Sequence, residues 1–147
     1  MSGWLRQSVV VPVDFSDESF AAVDEALKMV AAPEAVHVLH VLPELSPVEP
    51  GEMWSTITEE SRKEHVIKAL RERLHGASYE GLQFAARIGS PAHQIVAYAE
   101  ELEADTIVLP SRGVTGLAHI LIGSVAERVV RHAHCPVVVL RDGRSTS

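Results

Sequence analysis

The chain has 147 residues, of which 46% are hydrophobic and 22% charged, and its formal net charge is −7. That length suits one ordinary domain with its own core, and that composition excludes an intrinsically disordered chain. The acidic balance leaves no electrostatic footprint for DNA or RNA and repels anionic membrane surfaces, and no segment reaches the about 20 apolar residues of a membrane span.

A single cysteine, Cys135, excludes an internal disulfide, and the N-terminal "MSGWLRQ" has no apolar run of the signal-peptide kind. A cytoplasmic protein without nucleic-acid or membrane partners is therefore expected. No internal repeat or linker is visible, so residues 1–147 are read as one domain, with 142–147 as a flexible tail.

In chain order, "SVVVPVDF" (8–15) is a β-branched run that predicts a fully buried strand. Ser16 then caps a helix with Asp17 and Glu18 in its first turn, and Phe20, Val23, Leu27 and Val30 recur at helical spacing up to a stop at Pro33. "AVHVLHVL" (35–42) is the second strand, followed by a proline-rich loop over 43–56. A charged helix spans about 58–75, with Gly76 as its stop. "YEGLQFAARIG" (79–89) alternates only partly, as a half-exposed or edge strand does. Ser90-Pro91 opens a third helix that runs through 104. "DTIVLP" (105–110) is the fourth strand, residues 124–134 the fourth helix, and "PVVVLR" (136–141) the fifth strand.

Strands that alternate with helices in this way specify a parallel sheet covered on both faces. Ligands of such sheets bind beyond the carboxyl ends of the strands, where the strand order reverses. The segments to search are therefore 14–16, 40–42, 87–89 and 109–113.

The strongest constellation is Gly113, nine further residues, then Gly123-Ser124 at a helix start. Glycine lets the backbone approach phosphate oxygens, and the free N–H groups of a helix N-terminus attract anions. Ser124 is placed either to cap that helix or to bond a phosphate. The structural alternative is a glycine turn followed by an ordinary N-cap. Arg112 can pair with a phosphate or remain solvated. Asp14 closes the first strand, where it can accept from an adenine amine or a ribose hydroxyl, and Ser16 is better placed than Asp14 to cap the helix.

These segments resemble the universal stress protein (UspA) family over nearly the whole chain. The resemblance is carried by "VPVDFSDES", "LHVLPE" and "GLAHILIGSVAERVVRHAHCPVVVLR". Nucleotide-binding members of that family carry Gly-x2-Gly-x9-Gly-Ser/Thr. Here Gly113, Gly123 and Ser124 match, whereas Pro110 stands in place of the first glycine. The resemblance implies a Rossmann-like α/β domain with five parallel strands in the order 3-2-1-4-5. It further implies a stress-response sensor or adaptor that binds ATP, ADP or AMP, with Mg accompanying ATP. Asp14 and the backbone at Val41 would face adenine and ribose, and Gly113, Gly123 and Ser124 the phosphates. Pro12, Val13, Leu109, Arg112 and Val125 complete the candidate nucleotide set.

Proline lacks an N–H and holds φ near −65°. One lost hydrogen bond to a charged group is worth about 1.5–3 kcal/mol, which weakens binding without abolishing it. The alternative reading is a protein-interaction module of the same fold that takes no nucleotide and acts through a protein partner the sequence does not name. The apolar last strand would lie at a sheet edge, which favours a homodimer through Val137, Val138, Val139 and Leu140.

Catalysis finds little support. No Gly-x-Ser-x-Gly elbow is present, and residues 13–19 lack the glycines of the "SGGxDS" loop of related ATP-cleaving enzymes. Slow ATP hydrolysis is the most that is expected. Cys135, ahead of Pro136, reads as a buried inert thiol. Eight histidines raise the question of a metal. His37 and His40 fall on opposite faces of one strand, His132 and His134 diverge on one helix, and no ligand quartet is spaced for zinc. His40 reads as a structural histidine near the pocket.

Overall fold

A computed structural model describes residues 5–44, 58–111 and 123–141. Five parallel strands, β1 (Val9–Pro12), β2 (Val36–Leu42), β3 (Gln83–Ile88), β4 (Thr106–Pro110) and β5 (Val137–Leu140), form one sheet in the order β3-β2-β1-β4-β5. Four helices connect them: α1 (Asp17–Leu27), α2 (Glu59–Arg73), α3 (Pro91–Leu102) and α4 (Ser124–His132). The expected doubly covered α/β sheet is thus the observed one.

Strand alternation divides the core into two layers. Val9, Val11, Val36, Val38 and Val108 project towards α1 and α2, where Phe20, Val23, Ala26 and Leu70 meet them. Val10, Leu39, Ile107 and Leu109 project the other way, onto Ala92, Ile95 and Ala99 of α3 and Ala126 and Val129 of α4. Val9, Val10, Val11, Ile107 and Val108 are wholly inaccessible to solvent. The central strands β1 and β4 are therefore apolar on both faces, as parallel strands must be. β3 at one edge and β5 at the other are only half-buried.

Several predicted boundaries shift. α1 ends at Leu27, short of Pro33, which instead begins a 3₁₀ turn over Pro33–Ala35. Val30 lies beyond the helix in an isolated bridge to Arg6. α2 starts from Thr58, whose hydroxyl accepts from the Ser61 N–H while the Ser61 hydroxyl accepts from the Thr58 N–H. α2 closes on Leu74, and Gly76 at φ 111° opens the next turn instead of capping the helix. α4 ends at His132, so His134 is not helical, and its imidazole lies 3.3 Å from Glu100.

β1 spans only Val9–Pro12 of the predicted 8–15, because the chain bends at Asp14, two residues further on. β1 pairs with β2 on one side and with β4 on the other, through Val9 with Thr106 and Val10 with Ile107. The chain leaves β1 towards β2 but reaches β4 only after β3, so the order reverses between β1 and β4. That is where a crevice forms at the carboxyl ends of the strands.

Candidate functional site

The first wall of the crevice is the turn after β1. Val13 stays on the sheet, its N–H donating to Leu39 O at 2.8 Å, and the chain then swings into α1. Asp14 sits at the bend. Its Oδ1 accepts from the Ser16 N–H at 3.0 Å and from the Ser16 hydroxyl at 2.5 Å. The Ser16 hydroxyl accepts in turn from the Ser19 N–H at 3.2 Å, which caps α1 as the sequence predicts. Ser19 closes the ring, accepting from the Asp14 N–H at 3.2 Å and donating to Ser16 O at 2.8 Å. Burial alone pushes the Asp14 carboxyl up, but the Ser16 hydroxyl and N–H, with Ser19 and the residue's own N–H, outweigh it and hold the group below 3.8. Asp14 is therefore a fixed, ionised carboxylate.

β2 supplies the second wall. Nδ1 of His40 lies 2.7 Å from Val13 O. A carbonyl only accepts, so Nδ1 is the donor in this bond. His40 is a satisfied histidine and also lines the pocket, with Val41 beside it. The Phe15 ring meets His40 edge-on at 5.0 Å.

β4 and α4 form the third wall. Ser111 donates its N–H to Leu140 O at 3.0 Å, which extends the β4–β5 ladder past Pro110. The Ser111 carbonyl accepts from the Gly123 N–H at 2.6 Å and so holds the start of α4 against the end of β4. Gly123, not Ser124, is the N-cap, at φ −65° and without a side chain to cap the helix. Its carbonyl takes the first helical bond, from the Glu127 N–H at 2.9 Å. The N–H groups of Ser124, Val125 and Ala126 accordingly have no acceptor within the helix and give its N-terminus a partial positive charge.

These walls enclose a cavity of about 290 Å³. Pro12, Val13, Asp14, Val41, Leu109, Gly123, Ser124 and Val125 of the candidate set all line it. Arg112 and Gly113 lie outside the described residues. Pro110 is a wall residue, as are Pro91 and Ile95 of α3. The α3 residues carried no signal in the sequence, because an apolar residue on an amphipathic helix looks the same whether it meets core or pocket. Ser19 lines the cavity as well and is 1% exposed; its signal in the sequence is its place one helical turn before Val23, on the apolar face of α1.

The remaining candidates fall elsewhere. Cys135 is half-buried, and burial first and the Asp105 carboxylate second push its thiol up, away from the reactive thiolate. His37 faces Tyr98 on the α3 side of the sheet, opposite to His40. Among the described residues no group of three His, Cys, Asp or Glu side chains is arranged to hold a metal ion.

A family model described as the universal stress protein family matches residues 6–141. The chain belongs to the universal stress protein family. Universal stress protein MJ0531 of Methanocaldococcus jannaschii is 38% identical over 143 residues, covering 93% of this chain and 83% of that protein. The structure of universal stress protein UspA from Lactobacillus plantarum superposes with a TM-score of 0.71 at 30% identity, over 92% of this chain and 99% of that one. A solved universal stress protein in complex with cAMP superposes with a TM-score of 0.63 at 26% identity, over 93% of this chain and 98% of that one.

Proposed function

We propose that this universal stress protein binds an adenine nucleotide in the crevice between β1 and β4 and acts as a dimeric sensor or adaptor in the cytoplasm. The observation that carries the reading is convergence. A fixed carboxylate at Asp14, the end of β2 at Val41 and the unpaired N–H groups at the start of α4 all face one cavity. Those are the groups that a ribose, a purine edge and a phosphate require. The likeness to a universal stress protein in complex with cAMP supports it. Asp14 would accept from a ribose hydroxyl or the adenine amine, Val41 would meet the base, and Gly123 and Ser124 would hold phosphate, joined by Arg112 and Gly113. The described residues of the crevice include no nucleophile paired with a base, so the role is binding, with slow ATP hydrolysis at most. The dimer would form through β5, at Val137, Val138, Val139 and Leu140.

Pro110 favours a second reading, a nucleotide-independent interaction module, because it removes a backbone donor from the pocket wall. A thermal melt separates the two. A ligand at about 100 times its Kd adds about 2.7 kcal/mol, or roughly 5–11 °C for a domain of this size. A rise with millimolar AMP or Mg-ATP supports nucleotide binding. No rise with either, together with a rise once Pro110→Gly is made, supports the interaction module.

A further inference from the structure

The β3 edge of the sheet lies away from the crevice and presents backbone of its own. Gly89 donates its N–H to Leu42 O at 2.8 Å. By alternation along the parallel ladder, the N–H and C=O groups of Ala85 and Arg87 turn towards β2, and those of Phe84, Ala86 and Ile88 turn outward. Among the described residues no strand pairs with that side. A groove of about 550 Å³ runs beside it, between β3 and α2. Ala85 and Ala86 form its floor, where short side chains leave room for those of an added strand, and Ile67 of α2 gives it an apolar wall. An extended peptide that joins a sheet uses these two features together, outward backbone groups and a side-chain groove next to them.

The groove is also polarised. β2 and β3 are parallel, so α2 runs back between them, and its last turns lie beside the start of β3, where Arg71 stands 5.4 Å over the Phe84 ring. Lys68 and Arg71 line that end, and Glu60 and Glu64, with Lys63, line the other. Among the described residues neither Lys68 nor Arg71 is in an ion pair, although the chain carries −7. A strand charged the opposite way, acidic at the Arg71 end and basic at the Glu60 end, complements this arrangement.

We infer that the β3 edge binds an extended segment of a partner protein, antiparallel to β3 and acidic towards its carboxyl end. Antiparallel pairing is the more stable per residue. In that direction the carboxyl-terminal half of the segment reaches Lys68 and Arg71, and its amino-terminal half reaches Glu60 and Glu64. The edge at β5, which the proposed dimer uses, lies at the opposite side of the sheet, so one chain can engage both. The inference goes beyond the nucleotide reading and stands or falls apart from it.

The test is fluorescence anisotropy of the full chain with two labelled, end-capped peptides built on alternating valines. One carries lysine at its amino end and glutamates at its carboxyl end, and the other is the same sequence reversed. The first is expected to bind roughly three- to tenfold tighter, the worth of two exposed ion pairs, with the difference shrinking at high salt. Lys68→Glu combined with Arg71→Glu is expected to reverse the preference. Ala86→Pro removes one outward N–H, leaves the β2 ladder intact and suits an edge strand. It is expected to keep the circular dichroism of the parent and to weaken the first peptide by roughly tenfold. Failure of both peptides to bind, equal binding of the two, or an affinity unchanged by Ala86→Pro overturns the inference. So does a smaller assembly of Ala86→Pro in sedimentation without peptide, because a second copy of the chain would then occupy the edge.

Discussion

Phe15 occupies φ 68°, in the left-handed region that a bulky side chain rarely enters, and it does so between Asp14 and the α1 cap. The Cβ clash there costs about 1–2 kcal/mol. It is offset by edge-on contacts of the ring with His40 and with Phe20, the latter at 5.7 Å. Two substitutions separate these effects. Phe15→Ala loses the ring and keeps the clash, whereas Phe15→Gly loses both. The glycine variant is therefore expected to be the more stable of the two by about 1 kcal/mol in urea unfolding, the reverse of the usual order of alanine and glycine. The neighbouring carboxylate makes a pH-dependent contribution. Asp14 is held below its ordinary 3.8, so the native state favours its ionised form. That stability is complete above 3.8 and is lost as pH falls through the lower, folded value. Ser16→Ala removes both the cap on α1 and the hydroxyl on Asp14. It is expected to cost about 1 kcal/mol at neutral pH, with the gap from the parent protein narrowing once acid protonates Asp14.

At the scale of elements, β5 is an edge strand with apolar residues on both faces and a proline only before it. Pro136 O and Leu140 O accept from Ile107 and Ser111 of the β4 segment, so the N–H groups of Val137 and Val139 point away from the sheet. Those outward groups would carry the proposed dimer. Val139→Pro removes one of them without touching the β4 ladder. It is expected to leave the monomer folded by circular dichroism and to shift sedimentation towards the monomer. A Val139→Pro protein that remains fully dimeric would place the interface elsewhere. The charged edges behave differently. α2 is held on β3 partly by Arg71 over the Phe84 ring at 5.4 Å, and Arg73 lies over Phe20 at 4.3 Å. These cations cover aromatic rings, so the polar look of α2 in the sequence does not mean a loosely packed helix.

For the whole molecule, β1 and β4 bear the structure. Ile107 is wholly inaccessible between β1 and β5 and packs against α3 and α4. Ile107→Ala is expected to cost about 2–5 kcal/mol in urea unfolding, and Val138→Ala on the half-buried edge strand clearly less. The architecture was legible because valine-rich runs such as "VVVP" and "TIVLP" are apolar at every position, which suits only strands buried on both faces. The strand order was not in that pattern and came from family resemblance. Helix ends were less legible where competing signals overlapped. Val30 continues the α1 periodicity but is buried through an isolated bridge, and Gly123 precedes a serine that looks like the better cap. Most of the candidate pocket was reachable by looking at strand ends. Its α3 side was not, because Pro91 and Ile95 reach the crevice only through the packing of α3 on the sheet.

The crevice joins segments that are far apart in the chain, the turn after β1 and the end of β4. Pairing of β1 with β2, and of β2 with β3, closes shorter loops and can precede it. From β3 the chain must then pass over two strands, β2 and β1, to insert β4 beside β1, which is the long-range step that sets a slow pace in parallel sheets. A ligand has nothing to grip until that insertion is complete. It would therefore act as a lock on the finished molecule, lengthening the lifetime of the native state and leaving the rate at which the chain reaches it almost untouched.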